Sequence, residues 1–431
     1  RAGSRKPTGR AVSGFERTAG ELSLDGVGLA SVAQRFGTPC YVYSRALIEE
    51  VYGEFDTGLA GLDHLVCYAV KANSNLAVLQ ALARLGAGFD IVSGGELARV
   101  LAAGGTASRV IFSGVGKSPA EIEAGLIAGI KCFNAESEPE LDRIDAIARR
   151  LGRVAPVSLR INPDVDARTH PYISTGMAGN KFGIPYDRAL DAYRHAVGLP
   201  NLRVTGIDCH IGSQILETAP LDEALERVLE LVATLAREGI ELGHVDLGGG
   251  FGIRYRAEET PPDIGGYCRR LAQRLKGSGF QVLLEPGRAI VGNAGVLLTR
   301  VEYLKLDKAK RFAVVDASMS ELIRPALYQS WHDIVAVRDG EGEARRYDVV
   351  GPVCESSDIL GLDRDLAVRQ GSLLAIMSAG AYAMAMASNY NSRPRPCEVM
   401  IDAGRMVEIR ARESVESLFA LERGLDGEAC R

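Results

Sequence analysis

Between residues 65 and 288 one unit recurs: a short apolar run, a polar or glycine-rich break, then a stretch with apolar residues three and four apart. The apolar runs are "LVCYAV" (65–70), "GFDIV" (88–92), "RVIFS" (109–113), "IKCFN" (130–134), "VSLRI" (157–161), "TGIDC" (205–209), "HVDL" (244–247) and "QVLL" (281–284). Between them 75–86, 94–103, 119–128, 138–151 and 220–238 carry Leu, Ile, Val and Ala at helical spacing. In "SPAEIEAGL" Ser118 fits an N-cap, Pro119 the first helical position and Glu121 the third, a reciprocal capping pattern. Parallel strands need long crossovers, so strand–helix alternation predicts an α/β fold with a parallel sheet covered by helices. Eight units in 224 residues approach the size of a (β/α)8 TIM barrel, roughly 250 residues. A doubly wound open sheet is the structural alternative, and the near-even spacing of eight units favours closure.

After residue 295 the texture changes. "GVLLTRVEYLKL", "RFAVVDAS", "RRYDVVGPVC", "GSLLAIMSA", "CEVMID" and "RMVEIRA" have strand composition, and "RDGEGEA" and "DAGRM" are turn signals. The expected organisation is a tail over 1–20, N-terminal strand material over 21–46 joining the β domain, a barrel over 47–294 and a C-terminal all-β domain over 295–431. In this scheme "TPCYVYS" (38–44) is an orphan strand of the second domain, which is therefore discontinuous. The basic opening "RAGSRKPTGRAVSG" has no aromatic until Phe15 and fits a flexible tail.

Composition narrows the function classes. With 46% apolar and 24% charged residues the 431-residue chain is of ordinary globular type, and a net charge of −5 gives no basic footprint for nucleic acid or anionic membrane. No apolar stretch is long enough to span a bilayer, and no signal-peptide pattern is present in the sequence given. The eight cysteines stand singly, without CxxC or Cys/His spacing, so no metal site is expected. Reduced thiols and a cytoplasmic location are expected instead.

In a barrel the chemistry gathers at the C-terminal ends of the strands. Strand one ends in Lys71, strand two contains Asp90 and ends near Ser93, and strand five carries Arg160 and Asn162. Strand six delivers His210 and Ser213, strand seven ends in "GGGFG" (248–252), and strand eight ends in "EPGR", Glu285 to Arg288. Loops seven and eight are the usual phosphate site of this fold, and Gly248, Gly249 and Gly250 would let backbone N–H groups approach an anion closely. The run is not a dinucleotide fingerprint, since Ile253 stands where a third glycine is needed, and "GVGKS" is not a P-loop, since Ile111 stands at its first glycine. A lysine, a phosphate pocket, a histidine and a glutamate on one rim point to pyridoxal 5′-phosphate. Lys71 would form the Schiff base, His210 would lie against the ring, and Glu285 would keep the ring nitrogen protonated. The bland alternatives are a solvated strand-end lysine, a core histidine, a plain tight turn, and a glutamate that only pairs with Arg288.

Taken in order, "YAVKAN", "FDIVSGGEL", "NKFGI", "HIGSQI", "LGGGFGI", "EPGR", "GPVCESSD" and "GAYAMAMASNYN" resemble the fold-type III, alanine-racemase-like pyridoxal-phosphate decarboxylases. Within them the resemblance is to the diaminopimelate decarboxylase branch, from about residue 37 onward. It implies Lys71 as the Schiff-base lysine, His210 stacked on the ring and Glu285 at the ring nitrogen. Ser213, Gly249, Gly250 and the backbone of Glu285, Pro286, Gly287 and Arg288 would hold the phosphate, with Tyr382 contributing. Cys354 resembles the proton donor and Glu355 the recogniser of the substrate's distal amino group. Arg288, Arg324, Tyr328 and Tyr382 resemble the groups that hold its distal carboxylate. The implied reaction takes meso-2,6-diaminopimelate to L-lysine and CO2, the final step of lysine biosynthesis. The implied assembly is a homodimer in which Cys354 of one chain reaches the cofactor of the other.

The chemistry of the substrate fits these residues. Its far end carries both a carboxylate and an ammonium, which suit arginines and a glutamate respectively. Ornithine offers only a distal cation, which leaves paired arginines without a use. A thiol with an ordinary pKa of about 8.5 is a suitable acid for the carbanion left after CO2 departs; a structural role for Cys354 is the alternative. The remaining readings are a decarboxylase of this type for ornithine, arginine or a carrier-bound amino acid, a racemase (disfavoured by Glu285), and a non-catalytic barrel carrying the cofactor.

Overall fold

The structure, a computed structural model, describes residues 14–167, 181–307, 310–425 and 427. Most of the expected tail, Cys430 and Asn180 of "NKFGI" lie outside the described residues.

Eight strands, His64–Ala69, Gly88–Ile91, Val110–Phe112, Cys132–Ala135, Ala155–Asn162, Leu202–Asp208, His244–Asp246 and Gln281–Leu284, pair in parallel around a closed ring. Each pairs with its sequence neighbours, and the last returns to the first through Val282 opposite His64. The closed barrel, rather than the open sheet, is the architecture. Its interior is packed: Leu65, Cys67, Ile111, Cys132 and Leu283 form a buried cluster of their own, as side chains fill a barrel of this size.

The helices start where side chains satisfy their free N–H groups. Asn75, Ser93, Ser118 and Ser137 each accept from a first-turn amide, and Ser118 with Glu121 completes the expected capping box. Two further helices, Ala189–Gly198 and Ile264–Arg274, escape the periodicity reading. The second opens on two glycines and buries only Tyr267, Cys268 and Leu271, so its apolar stripe is narrow. A helix over Arg45–Gly58 precedes the first barrel strand and packs against Ile264–Arg274.

The β-rich remainder is built around the long strand Gly295–Leu306, which pairs with Arg311–Val315, Leu373–Ile376 and Cys40–Ser44. Cys40–Ser44 pairs in turn, in parallel, with Cys397–Asp402. That strand joins Arg405–Arg410 through Ala403 and Gly404 at φ 49° and 76°, the left-handed pair that a two-residue hairpin turn requires. A second core fills this region around Tyr41, Tyr43, Leu297, Val301 and Leu374. The strand Ile359–Ala367, not read from sequence, exposes Leu362, Asp363 and Asp365 and buries Arg364, which hid its apolar alternation.

The expectation of a tail over 1–20 is corrected at its end. Phe15–Thr18 is a strand, paired antiparallel with Glu21–Leu24 in a small three-stranded sheet. Ala19 and Gly20 turn the chain with positive φ, and Arg17 Nη2 ties the hairpin to the Ala336 carbonyl at 2.7 Å. Among the described residues no helix is long and apolar enough to cross a membrane.

Candidate active site

Lys71 sits in a short 3-10 turn, Val70–Ala72, directly after barrel strand one. The polar residues behind it are local scaffolding: Asn73 Oδ1 accepts the Asn75 N–H at 3.1 Å, and Asn75 Oδ1 accepts from Ala77 to start the next helix. The Lys71 ammonium is not a solvated strand end. Its Nζ donates to Asp90 Oδ2 at 2.6 Å, with the lysine side chain 35% exposed and the aspartate fully buried. Burial works against this charge, but Asp90 and Glu285 outweigh it and hold the ammonium above its ordinary pKa.

Around this pair lies a layer of buried acids. Asp208, Asp246 and Glu285 each place an oxygen within 4.8 Å of the others. Asp246 accepts the Gly248 N–H at 3.0 Å, whereas Glu285 Oε1 has no partner. Burial above all, then Asp90, Asp246 and Asp208, push Glu285 well above the usual carboxylate range; Asp246 is pushed up in the same way, and Asp208 to about 7. Arg160 is the balancing cation within the barrel, 3.3 Å from Glu136 and 4.0 Å from Asp208.

His210 Nδ1 accepts the Gly249 N–H at 3.1 Å, which places the ring proton on Nε2. Burial first, then the charges of Arg160 and Lys71, lower its pKa well below 6.5, so the imidazole is neutral. Its Nδ1 lies 3.8 Å from Glu285 Oε2. The glycines beside it are sterically required. A Cβ on Gly249 would stand 2.1 Å from the Glu285 carbonyl oxygen, and one on Gly250, at φ +99°, 2.4 Å from that of Gly212. The chain therefore passes bare backbone between strands six and eight, where Ser213 Oγ also lies.

Arg288 donates to that Ser213 Oγ at 3.0 and 3.3 Å and to the Tyr255 hydroxyl at 2.6 Å, and its guanidinium stands 4.8 Å from the Tyr382 ring. Arg324 lies 5.3 Å from the Tyr255 ring and 5.8 Å from that of Tyr328, and donates to Ser330 Oγ at 3.2 Å. Both arginines are buried. Among the described residues their hydrogen-bond partners are hydroxyls, and no carboxylate pairs with either. Tyr382 comes from the β-rich region at φ +52°, and its N–H donates to the Ala72 carbonyl at 2.8 Å, beside Lys71.

Contacts thus link Lys71, His210, Ser213, Gly249, Gly250, Glu285, Arg288, Arg324, Tyr328 and Tyr382 into one cluster. Cys354 and Glu355 stand elsewhere. Both are exposed: the Cys354 N–H donates to Asn391 Oδ1 at 2.9 Å, and Glu355 receives the Tyr390 hydroxyl. None of these partners belongs to the Lys71 cluster. Sequence reasoning missed Asp208, Asp246, Tyr255 and His332. The two aspartates left a signal, an acid in the middle of "TGIDC" and "HVDL"; Tyr255, in the loop after strand seven, left none.

Residues 45–292 match the family described as pyridoxal-dependent decarboxylase, pyridoxal binding domain. A diaminopimelate decarboxylase of Vibrio cholerae is 57% identical over 404 residues, covering 94% of this chain and 97% of the relative. Among solved structures, diaminopimelate decarboxylase from Helicobacter pylori complexed with L-lysine is 42% identical with a TM-score of 0.88, covering 92% of this chain and 99% of that one. The enzyme from M. jannaschii in co-complex with L-lysine is 36% identical with a TM-score of 0.90, covering 96% and 98%.

Proposed function

The chain belongs to the pyridoxal-dependent decarboxylases, in their diaminopimelate decarboxylase branch, and on that footing we propose that it converts meso-2,6-diaminopimelate to L-lysine and CO2. The observation that carries this reading is the pairing of two neighbouring sub-sites: a lysine among buried acids, and two buried arginines with no carboxylate partner among the described residues. The residues fit pyridoxal 5′-phosphate. Gly249 and Gly250 leave a cradle that a Cβ would fill, and Glu285 Oε1 is a buried polar atom without a partner. The chemistry such a group supplies when bound is an electron sink for the carbanion left by CO2.

In this reading Lys71 would be the point of covalent attachment, with its Nζ positioned by the hydrogen bond to Asp90 Oδ2. Glu285, whose Oε1 is buried without a hydrogen-bond partner, would face the ring nitrogen, and as a carboxylate it would favour the protonated form of that nitrogen. His210, neutral and held by Gly249, would lie against the ring face. Ser213, Gly249, Gly250 and the backbone from Glu285 through Pro286 and Gly287 to Arg288 hold the phosphate, assisted by Tyr382. Arg288, Arg324, Tyr328 and Tyr382 receive the distal carboxylate.

Glu355 pairs with the distal ammonium, and the Cys354 thiol delivers a proton to the substrate carbon. Because both are exposed and bonded away from the Lys71 cluster, a second copy of the chain brings them to the pocket, making a homodimer with shared sites. The free cysteines support the expected cytoplasmic setting. The deciding experiment is to supply the protein and pyridoxal phosphate with meso-diaminopimelate, ornithine or arginine and measure CO2. Release from diaminopimelate with L-lysine formed is expected. Release from ornithine or arginine alone would replace this reading with a diamine-forming one.

A further inference from the structure

From the geometry of the arginine pocket we infer that Tyr255 is a positioning residue, which holds the Arg288 and Arg324 guanidiniums together as one carboxylate clamp and so sets the preference for ligands with a distal carboxylate. The inference rests on the reading of the substrate given above and adds a residue to it.

Tyr255 is 7% exposed and sits just beyond the glycine loop of strand seven. Its hydroxyl accepts from Arg288 Nη1 at 2.6 Å, and the Arg288 and Arg324 guanidiniums lie 5.8 and 5.3 Å from its ring centre. Two like charges in one buried pocket repel. Burial first, and then Arg288, act to lower the pKa of Arg324, while Tyr255 opposes them. An aromatic ring shared by two cations offsets part of that repulsion, and the hydroxyl fixes the roll of one guanidinium.

The ring itself is held firmly. The Tyr255 N–H donates to Glu259 Oε2 at 2.8 Å, and His332 meets the ring edge-on at 5.2 Å. His332 is in turn fixed by its Nδ1, 2.9 Å from the Met377 carbonyl oxygen. A residue that only filled space would need neither the hydroxyl contact to one guanidinium nor a ring close to both.

The test compares L-lysine, which keeps the distal carboxylate, with 1,5-diaminopentane, which has the same carbon chain and amines but no carboxylate. Both are measured as inhibitors of the holoenzyme in wild type, Tyr255→Phe and Tyr255→Leu, alongside kcat and KM for diaminopimelate. Bound cofactor is followed by visible absorbance. Tyr255→Phe keeps the ring and removes the acceptor, so KM and the L-lysine inhibition constant should each rise about tenfold, with kcat moved less. Tyr255→Leu should raise both further, and diaminopentane inhibition should stay unchanged in the two variants. Equal weakening of both inhibitors, or no change in either, overturns the role of Tyr255; the phenylalanine variant decides this even if the leucine variant does not fold. Wild-type protein that fails to distinguish the two inhibitors overturns the substrate reading as well. Discrimination that survives in both variants overturns Tyr255 alone.

Discussion

On the barrel side of the pocket Asp90, Asp208, Asp246 and Glu285 share two cations, Lys71 and Arg160, whereas on the far side Arg288 and Arg324 share a tyrosine and have no carboxylate among the described residues. The two halves solve opposite imbalances by different means. Burial first, and then the repulsion of neighbouring acids, disfavours the charged form of these carboxyls, which pushes Glu285 and Asp246 well above the ordinary range. A guanidinium cannot shed its proton. The arginine half is therefore stabilised by hydroxyls and aromatic faces until an anion arrives. In the proposed reading the acid half responds to pH and to a cationic ring nitrogen, and the arginine half to the carboxylate of a ligand.

The largest expected effect removes the amine on which the acid half is centred. Lys71→Ala should abolish turnover and also the attachment of pyridoxal phosphate that borohydride makes permanent, read by mass spectrometry of the labelled peptide. Label retained at another residue would move the attachment point and with it the centre of the site.

Next comes the proposed proton donor, Cys354, which neither half contains. Cys354→Ala should cost on the order of 10²–10⁴ in kcat, the usual contribution of a positioned acid. If the thiol comes from a second copy, Lys71→Ala and Cys354→Ala chains exchanged at equal ratio pair at random. Half the dimers then join the two variants and carry one intact site of two, so up to about a quarter of wild-type activity returns by symmetry. Verified heterodimers that stay inactive would return the thiol to its own chain or to a structural role.

The arginine half is tested from both ends of the distal group. Arg324→Ala and Glu355→Ala should each lose at least tenfold in kcat/KM while pyridoxal phosphate stays bound, since unpairing a desolvated charge contact costs about 2–5 kcal/mol. Near-normal kcat/KM in both would break the contrast between the halves and leave the arginines as structural cations.

What the sequence made legible follows the same division. The barrel strands, Lys71, His210 and Glu285 could be read because periodicity marks strands and the rim of a barrel collects chemistry. The acid layer was half visible, since Asp90 was noticed at the rim while Asp208 and Asp246 passed as strand residues. Their role depends on which strands become neighbours across the barrel, and that is fixed by closure. Tyr255 was invisible for a related reason: its partners Arg288, Arg324 and His332 come from three later segments. Of the expected tail, Phe15–Thr18 became a strand only because residues 336–339, far along the chain, supply partners for its hairpin.

The smallest effect is one of stability and bears on the acid half alone. Burial above all, with Arg160 pulling back and Glu136 and Asp90 pushing on, brings Asp208 to about 7. In the unfolded chain an aspartate titrates near 3.9. Between about pH 4 and 7 the folded state therefore keeps a proton that the unfolded state has lost, so stability falls as pH rises through that window and stays lower above it. The gap between the two pKa values caps this contribution at about 4 kcal/mol, and the neighbouring acids share it. In protein stripped of cofactor Asp208 should accordingly favour the folded state at pH 5 relative to pH 8, while the buried neutral His210, His244 and His332 act in the opposite sense. Asp208→Asn, which keeps the shape and cannot ionise, should therefore shift the balance of urea resistance toward pH 8, chiefly by raising stability there. An unchanged balance between the two pH values in Asp208→Asn would mean that Arg160 and Lys71 keep Asp208 ionised, and that the acid half is balanced by its cations rather than by protons.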